Sequence, residues 1–446
     1  MVFSSLSFLL FFLPLIPIGL TFLPGRLRLP FLLLASLAFY GFGEPVAALF
    51  LLLSAAEAFF AARAMVKGTH ARLVLILSLV WHVGVLFIFK YLDPILAAFG
   101  LRTFSIHLPA GISFYTFQNT AYLADVYRRR AEPSARFSVY AAYIAFFPQL
   151  IAGPIERWQD MAPQFERLQA PCKDDLLEGA ERFIAGLSMK LLLADPMGRL
   201  HAALSASPES AGFLGCWMAA LAFAFQLYFD FAGYSVMALG LGRMCSIRLS
   251  VNFRHPYAAK DLRDFWQRWH ITLSRWFRDY VYIPLGGSRG GKGKAALTLL
   301  FTWLLTGIWH GAGWNMALWG LYWGCLLLLE RRIPARRGKL APALYRAFTF
   351  LVILVGWTLF SCGDLSTLSQ TLRQMFAPDA FLGAKEGAYL VSFLPMLCLC
   401  ALFCLPALSR IRLPKALRGA CCVLLLLLCV ASLAGDGYHP FLYFRF

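Results

Sequence analysis

The sequence predicts an all-α, polytopic integral membrane protein, and three observations carry that expectation. Of 446 residues, 60% are hydrophobic and only 14% charged, a balance far from that of a soluble globular domain. Apolar runs of about 20 residues, the length that crosses a bilayer as a helix, recur from end to end. The net charge of +18 is gathered in short basic clusters between those runs. That is the pattern of cytoplasmic loops, with attraction to anionic membrane lipid as a by-product, and not a nucleic-acid-binding stripe. Length alone suggests three soluble domains; one membrane domain over 1–446 fits the hydropathy better. The eleven cysteines sit mostly in apolar runs (Cys325, Cys398, Cys400, Cys404, Cys421, Cys422, Cys429) without zinc-ligand spacing, so buried free thiols and no metal site are expected.

Taken in order, 5–24 reads as a first span rather than a cleaved signal, because it has no basic leader and no small-residue cleavage site. It runs to Arg26 and Arg28, which places the N-terminus outside. Residues 30–43 and 45–64 form a hairpin broken at Gly41, Gly43 and Pro45, followed by spans at 73–92 and 109–127. The second of these ends in the basic cluster Arg128, Arg129, Arg130 and Arg136. Residues 137–152 are apolar but short and end in Pro148–Pro154, two prolines and a glycine that suggest a re-entrant element buried in protein. A polar, interfacial helix is expected in 155–175, then a hairpin of 176–196 and 212–242. Gln226, Asp230 and Tyr234 recur every four residues in its second arm, a polar stripe that faces protein or water rather than lipid. Residues 243–294 are basic and tryptophan-rich, with a helix expected over 264–282. Spans follow at 295–310, 313–331, 347–363, 388–408 and 419–434, alternating with basic loops (Arg331 to Lys339; Arg410 to Arg418) and a weakly charged loop at 364–387. The total is 11–12 spans plus re-entrant and interfacial pieces. N-terminal spans occupy 1–108, a core 109–331, C-terminal spans 332–434, and an aromatic tail 435–446 ends outside.

Two stretches point to chemistry. Leu304–Gly313 places His310 at a depth where an ionisable side chain costs several kcal/mol, about 3 on insertion scales. Gly307, Gly311 and Gly313 beside it allow the backbone to break or to approach a second helix closely. A histidine satisfied by helix carbonyls is the alternative. The second stretch, Asp264-Phe-Trp-Gln-Arg-Trp-His270, sets another histidine on the aromatic side of an amphipathic helix and exits through Pro284-Leu-Gly-Gly287. A zinc pair is a poor reading, because His270 and His310 lie 40 residues apart and no third ligand is near.

These motifs resemble the membrane-bound O-acyltransferase family, and within it the bacterial branch of alginate O-acetyltransferases and teichoic-acid D-alanyl transferases. The resemblance rests on 264–270, Tyr-Ile-Pro-Leu-Gly-Gly (282–287) and Gly-Ile-Trp-His-Gly-Ala (307–312). Ser113-Phe-Tyr-Thr-Phe, Phe147-Pro-Gln-Leu-Ile-Ala-Gly-Pro and Phe229-Asp-Phe-Ala-Gly-Tyr-Ser match the same branch, so about half the chain is covered in order. It implies acyl transfer from a cytoplasmic thioester through a tunnel to a hydroxyl on the outer side. His310 matches the catalytic histidine and His270 the second one. A neutral imidazole suits the role of base for an alcohol attacking a thioester. Asn252, Arg268, Trp269, Ser274, Asp279, Trp309 and Asn315 are candidate lining.

The tail Phe441-Leu-Tyr-Phe-Arg-Phe446 reads either as an interfacial aromatic anchor or, by similarity to a C-terminal tyrosine motif of this acyl-transfer system, as an acyl relay through Tyr443. The expected protein is thus a cytoplasmic-membrane O-acyltransferase with no bound cofactor, using acetyl-CoA or another acyl thioester as donor. Its expected partners are an envelope polysaccharide acceptor and, by family resemblance, an extracytoplasmic acetyltransferase of SGNH type. D-alanyl transfer to teichoic acid is the alternative within the class, and the fused tail favours the acetyl branch. A transporter of lipid-linked saccharide or acyl donor is the alternative outside it, disfavoured because paired histidines are superfluous there and no inverted repeat stands out.

Overall fold

A computed structural model describes residues 2–332, 341–377, 379–383, 386–411, 413–436 and 441–442. Among them every regular element is helical and there is no strand, as a bilayer requires of a chain that must satisfy its backbone within each segment. The protein is a multi-pass membrane protein. Six helices are long and apolar enough to cross: Pro45–Lys67, Ala71–Ala98, Ala211–Met244, Pro342–Ser361, Glu386–Phe403 and Lys415–Gly435. The sequence count of 11–12 also included elements that prove shorter or more polar. Among these are Phe8–Phe22, Gly25–Gly41, Ile112–Tyr127 and the pair Gly291–His310 and Trp314–Glu330.

The chain forms two compact units. The first comprises Met1–Leu187, Tyr234–Val251 and Leu433–Tyr438; the second comprises Ser188–Gly233, Asn252–Ser432 and His439–Phe446. In the first, the expected re-entrant piece is a broken helix. Phe137–Ala145 stops before Pro148, a single turn Phe147–Leu150 follows, and buried Gln149 donates from Nε2 to the Tyr143 carbonyl. A Cβ on Gly153 would collide with Gln149 and Pro148, so this fold-back needs glycine there.

The second unit contains both histidine stretches, and two details of its folding set the site. The first is the crossing of Gly291–His310 with Trp314–Glu330. A Cβ on Gly307 would strike the Met316 carbonyl, and one on Gly320 would strike the Trp303 carbonyl, so the two backbones meet at paired glycines. The second corrects an expectation: 264–282 is not one helix. Leu262–Arg268 and Ile271–Phe277 are separated by Trp269 and His270, with His270 in the left-handed region at φ 43°. The cause is competition for backbone groups. Arg254 N–H donates to the Arg268 carbonyl and Ile271 N–H to the Asn252 carbonyl, so the segment at 252–254 takes groups that a continuous helix would use. The loop expected at 364–387 also carries a helix, Leu365–Phe376, capped by Asp364 accepting from Thr367 N–H.

Candidate active site

His310 is the last residue of its helix. Gly311, at φ −175°, leaves the helix in an extended conformation and Gly313 precedes the next one. The imidazole is 7% exposed and walled by rings: Trp309 at 4.6 Å, Trp319 at 5.1 Å and Phe360 at 5.3 Å between centroids, all steeply inclined. Trp319 comes from the helix held close by Gly307 and Gly320, so the glycine crossing brings that wall within reach of the histidine.

His270 is 2% exposed and held by Asn252. Asn252 Oδ1 accepts from Thr272 N–H at 3.2 Å and from Thr272 Oγ1 at 3.0 Å, which identifies it as the amide oxygen. His270 Nδ1, 3.1 Å from that oxygen, must therefore be the protonated nitrogen, leaving Nε2 as the basic one. Phe231 meets the ring edge-on at 4.7 Å and Phe253 stacks at 6.4 Å. His270 lies between two short helices that span nothing, and burial pushes its pKa down to about 3, so the ring is neutral at physiological pH.

Both histidines line one cavity of about 310 Å³. Trp269 and Ser274 line it too, as expected. The other five candidates stand behind it. Asn252 orients His270; Arg268 pairs with Asp264 at 2.8 Å; Asp279 pairs with Arg278 at 2.8 Å; Trp309 packs beside His310; Asn315 Nδ2 donates to the Cys362 carbonyl at 2.7 Å. Tyr443 lies outside the described residues.

Three groups of lining residues were not singled out as site candidates, although Arg263, Trp266 and Arg278 lie in the basic, tryptophan-rich stretch 243–294. Arg263 and Arg331, beside an Arg278 paired with Asp279, make the cavity electropositive, and among the described residues no carboxylate lines it. Trp266 and Trp303, 4.5 Å apart, build an aromatic wall. Thr302 and Thr306 continue a four-residue spacing, Thr298-Thr302-Thr306-His310, that was legible as a stripe ending on the histidine. A further positioning residue was also missed. Glu330 accepts from the N–H groups of Leu262 (2.9 Å) and Arg263 (3.1 Å) and from the Tyr345 hydroxyl (2.8 Å), fixing the start of the helix that leads to His270. Among the described residues no three His, Cys, Asp or Glu side chains group as a metal ion would need.

Comparison with known proteins gives the family. The family model described as MBOAT, the membrane-bound O-acyltransferase family, matches residues 136–362, which span both histidines. Among similar curated proteins, a "Probable alginate O-acetylase AlgI" of Azotobacter vinelandii is 39% identical over 396 residues, 84% of this chain and 78% of that protein. A "Peptidoglycan O-acetyltransferase" of Helicobacter pylori is 34% identical over 84% of this chain and 80% of its own length. A "Teichoic acid D-alanyltransferase" of Streptococcus thermophilus is 29% identical over 49% and 56%. The chain belongs to the membrane-bound O-acyltransferase family. It is an O-acyltransferase, and its nearer resemblance runs to proteins named for O-acetylation of alginate and of peptidoglycan.

Proposed function

We propose that this protein takes an acetyl group from a thioester at the cytoplasmic face of the cell membrane and delivers it to a hydroxyl for O-acetylation of an envelope polysaccharide. The observation that carries the reading is a neutral His270 and a ring-walled His310 on one small cavity with no carboxylate among its described lining residues. His310 is the base. It takes the proton from the attacking hydroxyl as the oxygen bonds to the thioester carbonyl carbon. Collapse of the tetrahedral intermediate breaks the C–S bond, and the thiolate recovers a proton as it leaves. His270, with Nε2 as its basic nitrogen, relays that proton or accepts a hydrogen bond from a protonated group. Arg263, Arg278 and Arg331 suit a donor such as acetyl-CoA, whose phosphates need cationic partners. The catalytic core is the expected 109–331, with both termini on the extracytoplasmic side.

Tyr443 is proposed as the first acceptor. Its phenol would take the acetyl group as an aryl ester and pass it to an extracytoplasmic SGNH-type acetyltransferase that modifies the polymer. The test is transfer of label from radioactive acetyl-CoA to purified protein in lipid. Labelling of the wild type, lost in His310→Ala and in Tyr443→Phe with folding intact, is the expected result. Labelling that persists in His310→Ala sinks the base, and persistence in Tyr443→Phe sinks the relay. D-alanyl transfer, suggested by the teichoic-acid relative, predicts label from a D-alanyl carrier protein instead.

A further inference from the structure

Asp230, the centre of the polar stripe read from the sequence, lies inside the span Ala211–Met244. It does not stand alone. Lys190 Nζ donates to Asp230 Oδ1 at 2.8 Å and to Asp195 Oδ1 at 2.6 Å, and the three side chains are 3%, 4% and 11% exposed for Lys190, Asp230 and Asp195. Buried charges at membrane depth are tolerated only when paired and hydrogen-bonded, and Lys190 bridges two carboxylates here. The C-terminal tail adds two contacts to this cluster. Leu442 N–H donates to Asp230 Oδ2 at 2.8 Å. The Phe441 ring, 1% exposed, lies 5.0 Å from Lys190 Nζ and covers a further face of the ammonium.

We infer that the Lys190–Asp230–Asp195 cluster is a docking site for the C-terminal tail, and that Asp230 and Lys190 are positioning residues for acyl transfer. The recognition is of backbone and ring: a carboxylate oxygen takes the Leu442 amide and a cation takes the Phe441 face. The residue that follows these two is Tyr443, so the tether fixes the chain one peptide bond before it. The tether is also linked to the catalytic cavity through packing. Phe231, the neighbour of Asp230, packs edge-on against His270 at 4.7 Å, and Leu442 packs on the hydrophobic cluster that includes Trp269 and Trp319. An interfacial anchor would need only lipid. Here the two residues are held by a charged, protein-buried receptor. The role of the tether in transfer rests on the Tyr443 relay; its existence does not.

Hydrogen exchange of the tail peptide in full-length protein, reconstituted in lipid nanodiscs and read by mass spectrometry, tests the tether. Asp230→Asn is expected to speed exchange of the tail amides at least tenfold. Leu442→Pro removes the donated N–H without touching the membrane core and is expected to speed exchange of the Phe441 amide similarly, while Leu442→Ala keeps the N–H and the protection. Unchanged exchange in both Asp230→Asn and Leu442→Pro overturns the docking site. In the same samples, Leu442→Pro is expected to lower acetyl transfer at least tenfold while binding of acetyl-CoA itself stays as in the wild type; transfer at the wild-type level with a freed tail overturns the positioning role. Tyr443→Phe addresses the relay separately. It should keep the tail protected and lose transfer, and transfer retained there removes the relay while the exchange result stands.

Discussion

The two units each bury a histidine, and they treat it in opposite ways. In the first, His82 sits in the span Ala71–Ala98 with Nε2 2.9 Å from Glu57 Oε2 of the neighbouring span Pro45–Lys67, and Glu57 Oε1 also accepts from Ser78 Oγ at 2.7 Å. Histidine, carboxylate and hydroxyl thus face one another across two neighbouring helices. In the second, His310 is enclosed by rings and faces a cavity with arginines but no carboxylate among the described residues. An intramembrane histidine beside a carboxylate is a link between helices. One enclosed by aromatic rings at a cavity wall is the setting proposed above for a base. Depth and cost alone do not separate the two.

The largest effect that would break this comparison is functional. His310→Gln is expected to lower acetyl transfer about 10³-fold, the usual worth of a general base, while His82→Gln stays within twofold. Comparable losses in both, measured with the same donor and acceptor, would erase the distinction. Next comes the support of His270. Asn252→Ala frees the ring and leaves Thr272 without its acceptor, so transfer should fall about tenfold to a hundredfold with a loss of stability of about 1–3 kcal/mol, read by thermal unfolding in detergent.

The pH response of His270 offers a third measurement. Its folded pKa of about 3 lies below the ordinary value of 6.5, so the unfolded chain binds a proton that the native protein refuses. Its contribution is therefore fully present above pH 6.5 and is lost as pH falls towards 3. Between pH 6.5 and 5 the loss is about 2 kcal/mol, at roughly 1.4 kcal/mol per unit. His270→Gln should flatten that slope in pH-dependent melting; an unchanged slope would show that the ring is not buried neutral. The smallest expected effect is at the helix link. His82→Leu should cost about 1–2 kcal/mol by leaving Glu57 without its partner, and Glu57→Leu added to it should recover most of the loss.

The sequence made the membrane class, the all-helical fold and the two histidine motifs readable, because apolar length and motif spacing are local properties. The break at His270 was not. The pattern from Asp264 to Tyr282 suits a helix throughout, and only pairing with residues 252–254, a long way back in the chain, overrides it. Asn252 was noticed as lining but not as the group that fixes the tautomer of His270, since that needs the position of Thr272. Arg331 looked like the edge of a basic loop and Glu330 drew no reading at the end of a span, yet one lines the cavity and the other anchors the helix before His270. Asp230 was legible as a buried polar residue. Its partners, Lys190 from an earlier helix and Leu442 from the last residues of the chain, were not.

The threonine stripe leading to His310 has a consequence for side reactions. Thr302 Oγ1 donates to the Thr298 carbonyl at 2.7 Å and Thr306 Oγ1 to the Thr302 carbonyl at 2.8 Å. Each hydroxyl proton is turned back into the helix's own backbone, a common device of threonines in membrane helices. Thr302 and Thr306 therefore turn only their oxygen lone pairs to the cavity. If acyl transfer runs here as proposed, these two side chains donate no hydrogen bond to a water beside His310, which favours transfer over hydrolysis.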